Sequence, residues 1–205
     1  MSKLLFLIKY LKFLFVSKTK HGVHSPFVYN FITNVLKDKS YKKKYSKIIN
    51  VNTSTFNSKH KELIFRIINH YKLDNILEIG HCKHINRTFL TNSRSKVNLF
   101  YYSTKTSQIS EINTQNNAQS KNFDFAFYNL KNNDYLTLNK FINHLKYFHN
   151  NSIVAINNIH QSKKMEEVWR KIIFQKEVTV SIDLFFIGLV FFRKEQVKEN
   201  FIIRF

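Results

Sequence analysis

The sequence predicts an α/β fold: a mostly parallel sheet flanked by helices, with an antiparallel C-terminal edge and an N-terminal helical extension. Three observations predict it. From about Asn57, short apolar runs alternate with helix-period stretches, the signature of βαβ units. Beyond Glu177, runs rich in Val, Ile and Phe follow one another with no full helix between them, which an antiparallel edge accommodates. Before about Asn50 the pattern is helical only. Residues 1–50 therefore read as the extension and residues 51–205 as the α/β domain.

Each element has its own reason. Leu4 to Val16 is an apolar helix interrupted by Lys9 and Lys12. Ser25 and Pro26 start a second helix: Ser25 caps it, and Pro26 sits at the first helical position, where its missing N–H costs nothing. Phe27, Phe31, Val35 and Leu36 recur at three to four residues, as one buried face requires. Lys37 to Lys47 is basic and reads as a short helix or a loop. Ser58 to Lys72 is a helix with Leu63, Ile64, Ile67 and Ile68 as its stripe. Asn75–Gly80, Val97–Tyr102, Phe123–Tyr128 and Ser152–Ile156 read as strands. Helices are expected over Ile85–Leu90, Tyr135–Phe148 and Lys163–Phe174. Glu177–Asp183, Gly188–Arg193 and Asn200–Phe205 read as late strands.

The composition bounds the function classes. Of 205 residues, 43% are hydrophobic and 16% aromatic, so a core can form and disorder is excluded. A single cysteine, Cys82, permits no internal disulfide, and the chain reads as cytoplasmic. Lys and Arg total 33 against 13 Asp and Glu, a formal charge of +20. Such a basic protein suits an anionic partner, either nucleic acid or a membrane surface. The same excess also follows from codon drift toward Lys, Asn, Ile, Phe and Tyr. No run is long enough to span a bilayer. The Leu4–Val16 helix fits either packing on its own domain or lying peripherally on anionic lipid.

Ligands of open α/β sheets bind beyond the carboxyl ends of the strands, so the residues after each strand are the informative ones. Glu78-Ile79-Gly80 ends the first strand, and Gly80 is the one glycine that lets backbone approach a ligand there. His81, Cys82, Lys83 and His84 follow. They read as a bulky loop, with a metal site or a nucleophilic Cys82 as alternatives. Ser103, after the second strand, can hold one ribose hydroxyl. Asn129 and Asn132 follow the third strand. Asn157, Asn158 and His160 follow the fourth. These amides offer neutral carbonyls only, so no catalytic metal is expected.

The residues also carry a resemblance. His21-Gly22-Val23-His24-Ser25-Pro26-Phe27, the block Asn158-Ile159-His160-Gln161-Ser162 with Met165, Glu166 and Trp169, and Ile182-Asp183-Leu184-Phe185 with Gly188 to Arg193 form one set of motifs. Together with Phe201 to Phe205, they resemble a group of small bacterial class I S-adenosylmethionine-dependent methyltransferases. The resemblance implies a Rossmann-like methyltransferase fold, an S-adenosylmethionine cofactor and transferase activity on a small molecule. It implies cofactor contacts at Glu78, Gly80, Ser103 and Asn129, and catalytic or substrate contacts at Asn157, Asn158 and His160. The family pattern has acids where this chain has Ser103, Asn129, Asn157 and Asn158, and a histidine where it has Asn132. The implied site is therefore eroded. That leaves two readings: a methyltransferase, or a non-catalytic pseudoenzyme of the same fold that binds an anionic partner. His21 and His24 read either as a pair closing over the cleft or as imidazoles tying the second helix to the domain.

Overall fold

A computed structural model describes residues 3–40, 58–80, 97–102, 109–111, 122–129 and 134–205. The expected helix over residues 85–90, the loop His81–His84, Ser103, Asn132 and residues 41–47 of the basic stretch lie outside the described residues.

Among the described residues, eight strands form one sheet in the order β3-β2-β1-β4-β5-β7-β6-β8. They are β1 (Asn75–Gly80), β2 (Asn98–Tyr102), β3 (Ile109–Glu111), β4 (Phe123–Asn129), β5 (Phe148–Asn157), β6 (Val180–Asp183), β7 (Ile187–Phe191) and β8 (Glu199–Ile202). β2, β1, β4 and β5 are mutually parallel. β7 runs antiparallel to both β5 and β6, and β8 is parallel to β6. The sheet is thus the expected mostly parallel one, with its reversed pairing at the C-terminal side. β3, antiparallel to β2, forms the other edge and was not expected from the sequence. Its three residues, Ile-Ser-Glu, are too few to show an alternation.

The alternation of side chains along each central strand feeds two cores. Ile76, Phe125, Phe127, Ile153 and Ala155 point to one face, and Leu77, Ile79, Ala126, Tyr128, Val154 and Ile156 to the other. Both sets are buried, which is why these strands read as continuous apolar runs. The first face is covered by α2 (Pro26–Phe31), which continues as a π-helical turn over Ile32–Leu36, and by α3 (Ser58–Tyr71). Helices α4 (Asp134–His144) and α5 (Lys163–Ile173) cover the second.

Local chemistry sets the helix ends. The Val28 N–H donates to Ser25 Oγ at 3.5 Å, and Pro26 opens α2, as the sequence predicts. The other end of that segment is tied by Arg66 Nη1 of α3, which donates to the carbonyls of Leu36 at 2.7 Å and Asp38 at 3.0 Å. Ser162 caps α5 by accepting from Met165 N at 3.0 Å. α4 ends at His144 rather than running to Phe148. Leu145–Tyr147 is a 3-10 turn, and β5 begins at Phe148. The polar start of β5 is held by side chains: Asp124 Oδ1 meets His149 Nε2 at 2.9 Å, and Ser152 Oγ donates to the Phe123 carbonyl at 2.7 Å. Asp124 Oδ2 also accepts from the N–H groups of Asp74 and Asn75 at 3.0 and 2.8 Å, so one carboxylate pins the amino ends of β1 and β5 to β4.

The N-terminal helix α1 (Lys3–Val16) lies at the opposite, carboxyl end of the sheet. Phe6, Tyr10 and Phe13 pack around Phe185 with ring centroids 5.2, 4.9 and 5.2 Å away. The chain then returns as a bridge beside the last strand: Lys18 N donates to Ile202 O at 2.8 Å, and Arg204 N to Lys18 O at 3.1 Å.

Candidate functional site

Gly80 ends β1 between its two parallel neighbours, β2 and β4, at the point where the strand order reverses direction. Its φ is 117°, a region that essentially only glycine enters. Its carbonyl accepts from the Tyr101 hydroxyl at 3.0 Å, which fixes the peptide leaving the strand. Glu78, two residues earlier, is fully buried in β1.

The register places Asn129 opposite Gly80, and Asn157 follows next along the same edge. Asn157 Nδ2 donates to Asn129 Oδ1 at 2.8 Å. Asn157 Oδ1 is buried and takes no hydrogen bond among the described residues. An orphaned acceptor of this kind costs about 1–3 kcal/mol unless a donor arrives. Asn158 has φ 58°, in the left-handed region that Asn tolerates better than most residues. Its N–H donates to Phe186 O at 2.6 Å, and its carbonyl accepts from Gln161 N at 3.0 Å. The turn therefore leads straight into α5.

His160 is held on both nitrogens. Nδ1 lies 3.0 Å from Glu166 Oε1 and Nε2 lies 2.7 Å from Asp183 Oδ2. Lys9 of α1 donates to the same Glu166 oxygen at 2.7 Å, while Asp183 Oδ1 accepts from Phe185 N at 2.7 Å. The imidazole stacks on Phe185 at 5.0 Å. Burial alone disfavours its charge, but the hydrogen bonds and charges of Asp183 and then Glu166 outweigh this and raise its pKa above the usual value. Burial pushes the Glu166 carboxyl up, and the Lys9 and His160 contacts more than reverse that, leaving it below the carboxylate range. Lys9, Glu166, His160 and Asp183 thus form a chain of alternating charge joining α1, α5, the turn after β5 and β6. Asp183 lies on the second strand over from Asn157, roughly 10 Å along the edge.

The structure brings Gly80, Asn129 and Asn157 together and sets His160 toward β6. Glu166 and Asp183 were not singled out as interacting groups in the sequence. Their signal was present only as the motif residues Met165-Glu166 and Ile182-Asp183. His21 and His24 are both exposed, and the cap of α2 is Ser25. A cavity of about 210 Å³ lies under α1, lined by Tyr10, Phe13, His60, Leu184 and Phe186 among others. Burial, and then Lys59, lowers the pKa of His60, which favours the neutral ring. Among the described residues no group of three or more His, Cys, Asp or Glu is placed to hold a metal ion.

No protein-family model matches the sequence, and no curated protein matches it. Solved structures do. One, from Staphylococcus aureus and provisionally classed as a caffeoyl-CoA O-methyltransferase, aligns with a TM-score of 0.50 and 13% identity over 80% of this chain and 97% of that one. The O-methyltransferase TomG of Streptomyces achromogenes aligns with a TM-score of 0.44 and 14% identity, covering 81% of this chain and 95% of its own. A Bacillus cereus O-methyltransferase gives 0.45 and 14%, covering 79% and 96%. With the strand order above, the first of these shows that the chain has the Rossmann-like fold of the class I methyltransferases.

Proposed function

We propose that this chain is a small-molecule methyltransferase that binds S-adenosylmethionine at the carboxyl edge formed by β1, β2 and β4. The observation that carries the reading is Gly80, at φ 117° on the switch point of the sheet, where a ligand backbone contact needs the space a Cβ would fill. In this reading Glu78 and Gly80 hold the methionine end, Ser103 one ribose hydroxyl, and Asn129 the neighbouring strand end. When bound, the cofactor supplies an electrophilic methyl group. Asn157 and Asn158 line the acceptor side, and Asn157 Oδ1 is the acceptor atom for a hydrogen bond from that substrate. Solved O-methyltransferases of similar fold hold this cofactor or its product, as TomG and the Bacillus cereus enzyme do.

An amide oxygen can accept a hydrogen bond but cannot take a proton. His160 has both nitrogens committed to carboxylates and acts as a positioning residue. The reading therefore favours an acceptor that is already anionic, such as a phenolate or carboxylate, and rate gain by alignment. Isothermal titration with S-adenosylmethionine tests it. Saturable heat, abolished by competition with the demethylated product, supports it. The absence of heat at millimolar cofactor sinks it.

A second reading has its own observation. Asn129 and Asn157 spend amide groups on each other where the family pattern has acids. On this reading the chain keeps the scaffold, has lost transfer, and serves in the cytoplasm as a binding protein for an anionic membrane surface or nucleic acid. Cofactor binding without turnover over a panel of phenols and carboxylic acids would favour it.

A further inference from the structure

Helix α1 is apolar on two sides, and among the described residues only one of them packs on the domain. Phe6, Tyr10 and Phe13 face inward onto Phe185. At about 100° per residue, Leu4, Leu7, Ile8, Leu11 and Phe15 fall together on the opposite side, in an arc roughly 100° wide. All five are exposed, from 40% at Ile8 to 93% at Phe15. Single exposed apolar residues are ordinary, but five on one helix face mark an interaction surface.

The charge of this segment identifies the partner. Residues 1–40 contain seven lysines and one acid, Asp38. Lys12 sits on the rim of the apolar arc, and Lys12, Lys18, Lys37 and Lys39 are exposed. We propose that α1 docks on an anionic lipid surface, lying in the interface with Leu7, Leu11 and Phe15 in the acyl boundary and the lysines among headgroup phosphates. The helix has 14 residues, about 21 Å, and no helix among the described residues is long and apolar enough to cross a membrane. Lipid is favoured over a second copy of this chain, because each copy carries the same formal charge of +20 and packing two such faces together opposes like charge. It is favoured over nucleic acid because four of the five residues on this face, Leu4, Leu7, Ile8 and Leu11, are alkyl and offer neither hydrogen bonds to phosphates nor rings to stack on bases.

The docking is oriented. Lys9 is bonded to Glu166, and Arg204 donates to the Leu14 carbonyl, so α1 is fastened to the carboxyl end of the sheet. Docking turns the edge bearing Gly80, Asn129 and Asn157 toward the bilayer.

Co-sedimentation of the full chain with vesicles tests the proposal independently of cofactor binding. The probes are mixed phosphatidylglycerol–phosphatidylcholine vesicles and vesicles of phosphatidylcholine alone, at about 0.1 and about 0.5 M salt. The expected result is binding to the anionic vesicles that weakens several-fold with salt and with Lys12→Glu. The combined variant Leu7→Ser, Leu11→Ser, Phe15→Ser should bind at least about tenfold more weakly while keeping the circular dichroism of the parent. Absence of binding to anionic vesicles overturns the proposal, as does a triple variant that binds like the parent. A parent dimer that the triple variant converts to monomer also overturns it, by giving the face to a second copy.

Discussion

His160 Nε2 lies 2.7 Å from Asp183 Oδ2, and this contact ties the turn after β5 to the end of β6 across the intervening β7. Asp183 and then Glu166 favour the protonated ring and outweigh the cost of its burial, so its pKa is raised. A histidine whose folded pKa is raised contributes stability that is fully present below the unfolded value near 6.5. That stability is lost as pH rises through the folded pKa. Melting temperature should therefore fall as pH rises above 6.5, and Asp183→Asn should flatten that slope. The same substitution should cost about 3 kcal/mol in denaturant unfolding at pH 6, because it leaves a buried imidazolium short of a partner.

His144 should act in the opposite direction at lower pH. It is 4% exposed, its Nδ1 lies 2.9 Å from the Tyr128 hydroxyl, and the Tyr102 ring stands 4.8 Å away. Burial first, then Lys140 and Lys146, lower its pKa to about 4. The unfolded chain takes up this proton more readily, so stability falls as pH drops from about 6.5 toward 4, by an amount on the order of 3 kcal/mol. A His144→Phe variant should lose most of this acid sensitivity in denaturant titrations from pH 7 to pH 4. Taken with His160, the parent should lose stability both as pH falls toward 4 and as pH rises through the raised pKa of His160.

Gly188 is crowded by the sole tryptophan. A Cβ there would lie 2.6 Å from Cζ3 and 2.7 Å from Cη2 of Trp169. Gly188→Ala should destabilise by about 1–3 kcal/mol, the range for overpacking a filled core. Because Trp169 must shift, its emission should move to longer wavelength in the folded variant. An unchanged spectrum with unchanged stability would show that the ring has room.

Gly80→Ala should separate site from scaffold. At φ 117° an alanine is strained, at a cost of about 1–3 kcal/mol in stability. If the cofactor meets this backbone, affinity for S-adenosylmethionine should fall at least about tenfold. Equal affinity in parent and variant would remove Gly80 from the proposed contact set.

The fold was legible because its signals are local. Ser25 and Pro26 announce α2, and the doubly buried strands show as apolar runs. The misplaced boundary is the start of β5, where His149, Asn150 and Asn151 are polar. Asp124, which helps hold them in a strand, lies 25 residues from His149. The site was legible in position and less so in state. Asn129 and Asn157 were expected at one edge, but their mutual hydrogen bond depends on the register of β4 with β5. His160 was expected at the cleft. Its partners come from α5 and from a strand 23 residues later, a distance that no short motif spans.

The bridge from Lys18 to β8 has a consequence for synthesis. Arg204 reaches back to Ser17 and Leu14 across more than 180 residues, and Lys9 to Glu166 across 157. At about 5–20 residues per second, α1 emerges from the ribosome roughly 10–40 s before the strand that fastens it exists. Over that interval both its apolar faces are open. The nascent helix is free to find another apolar surface first, so the order of translation itself favours early capture of this chain.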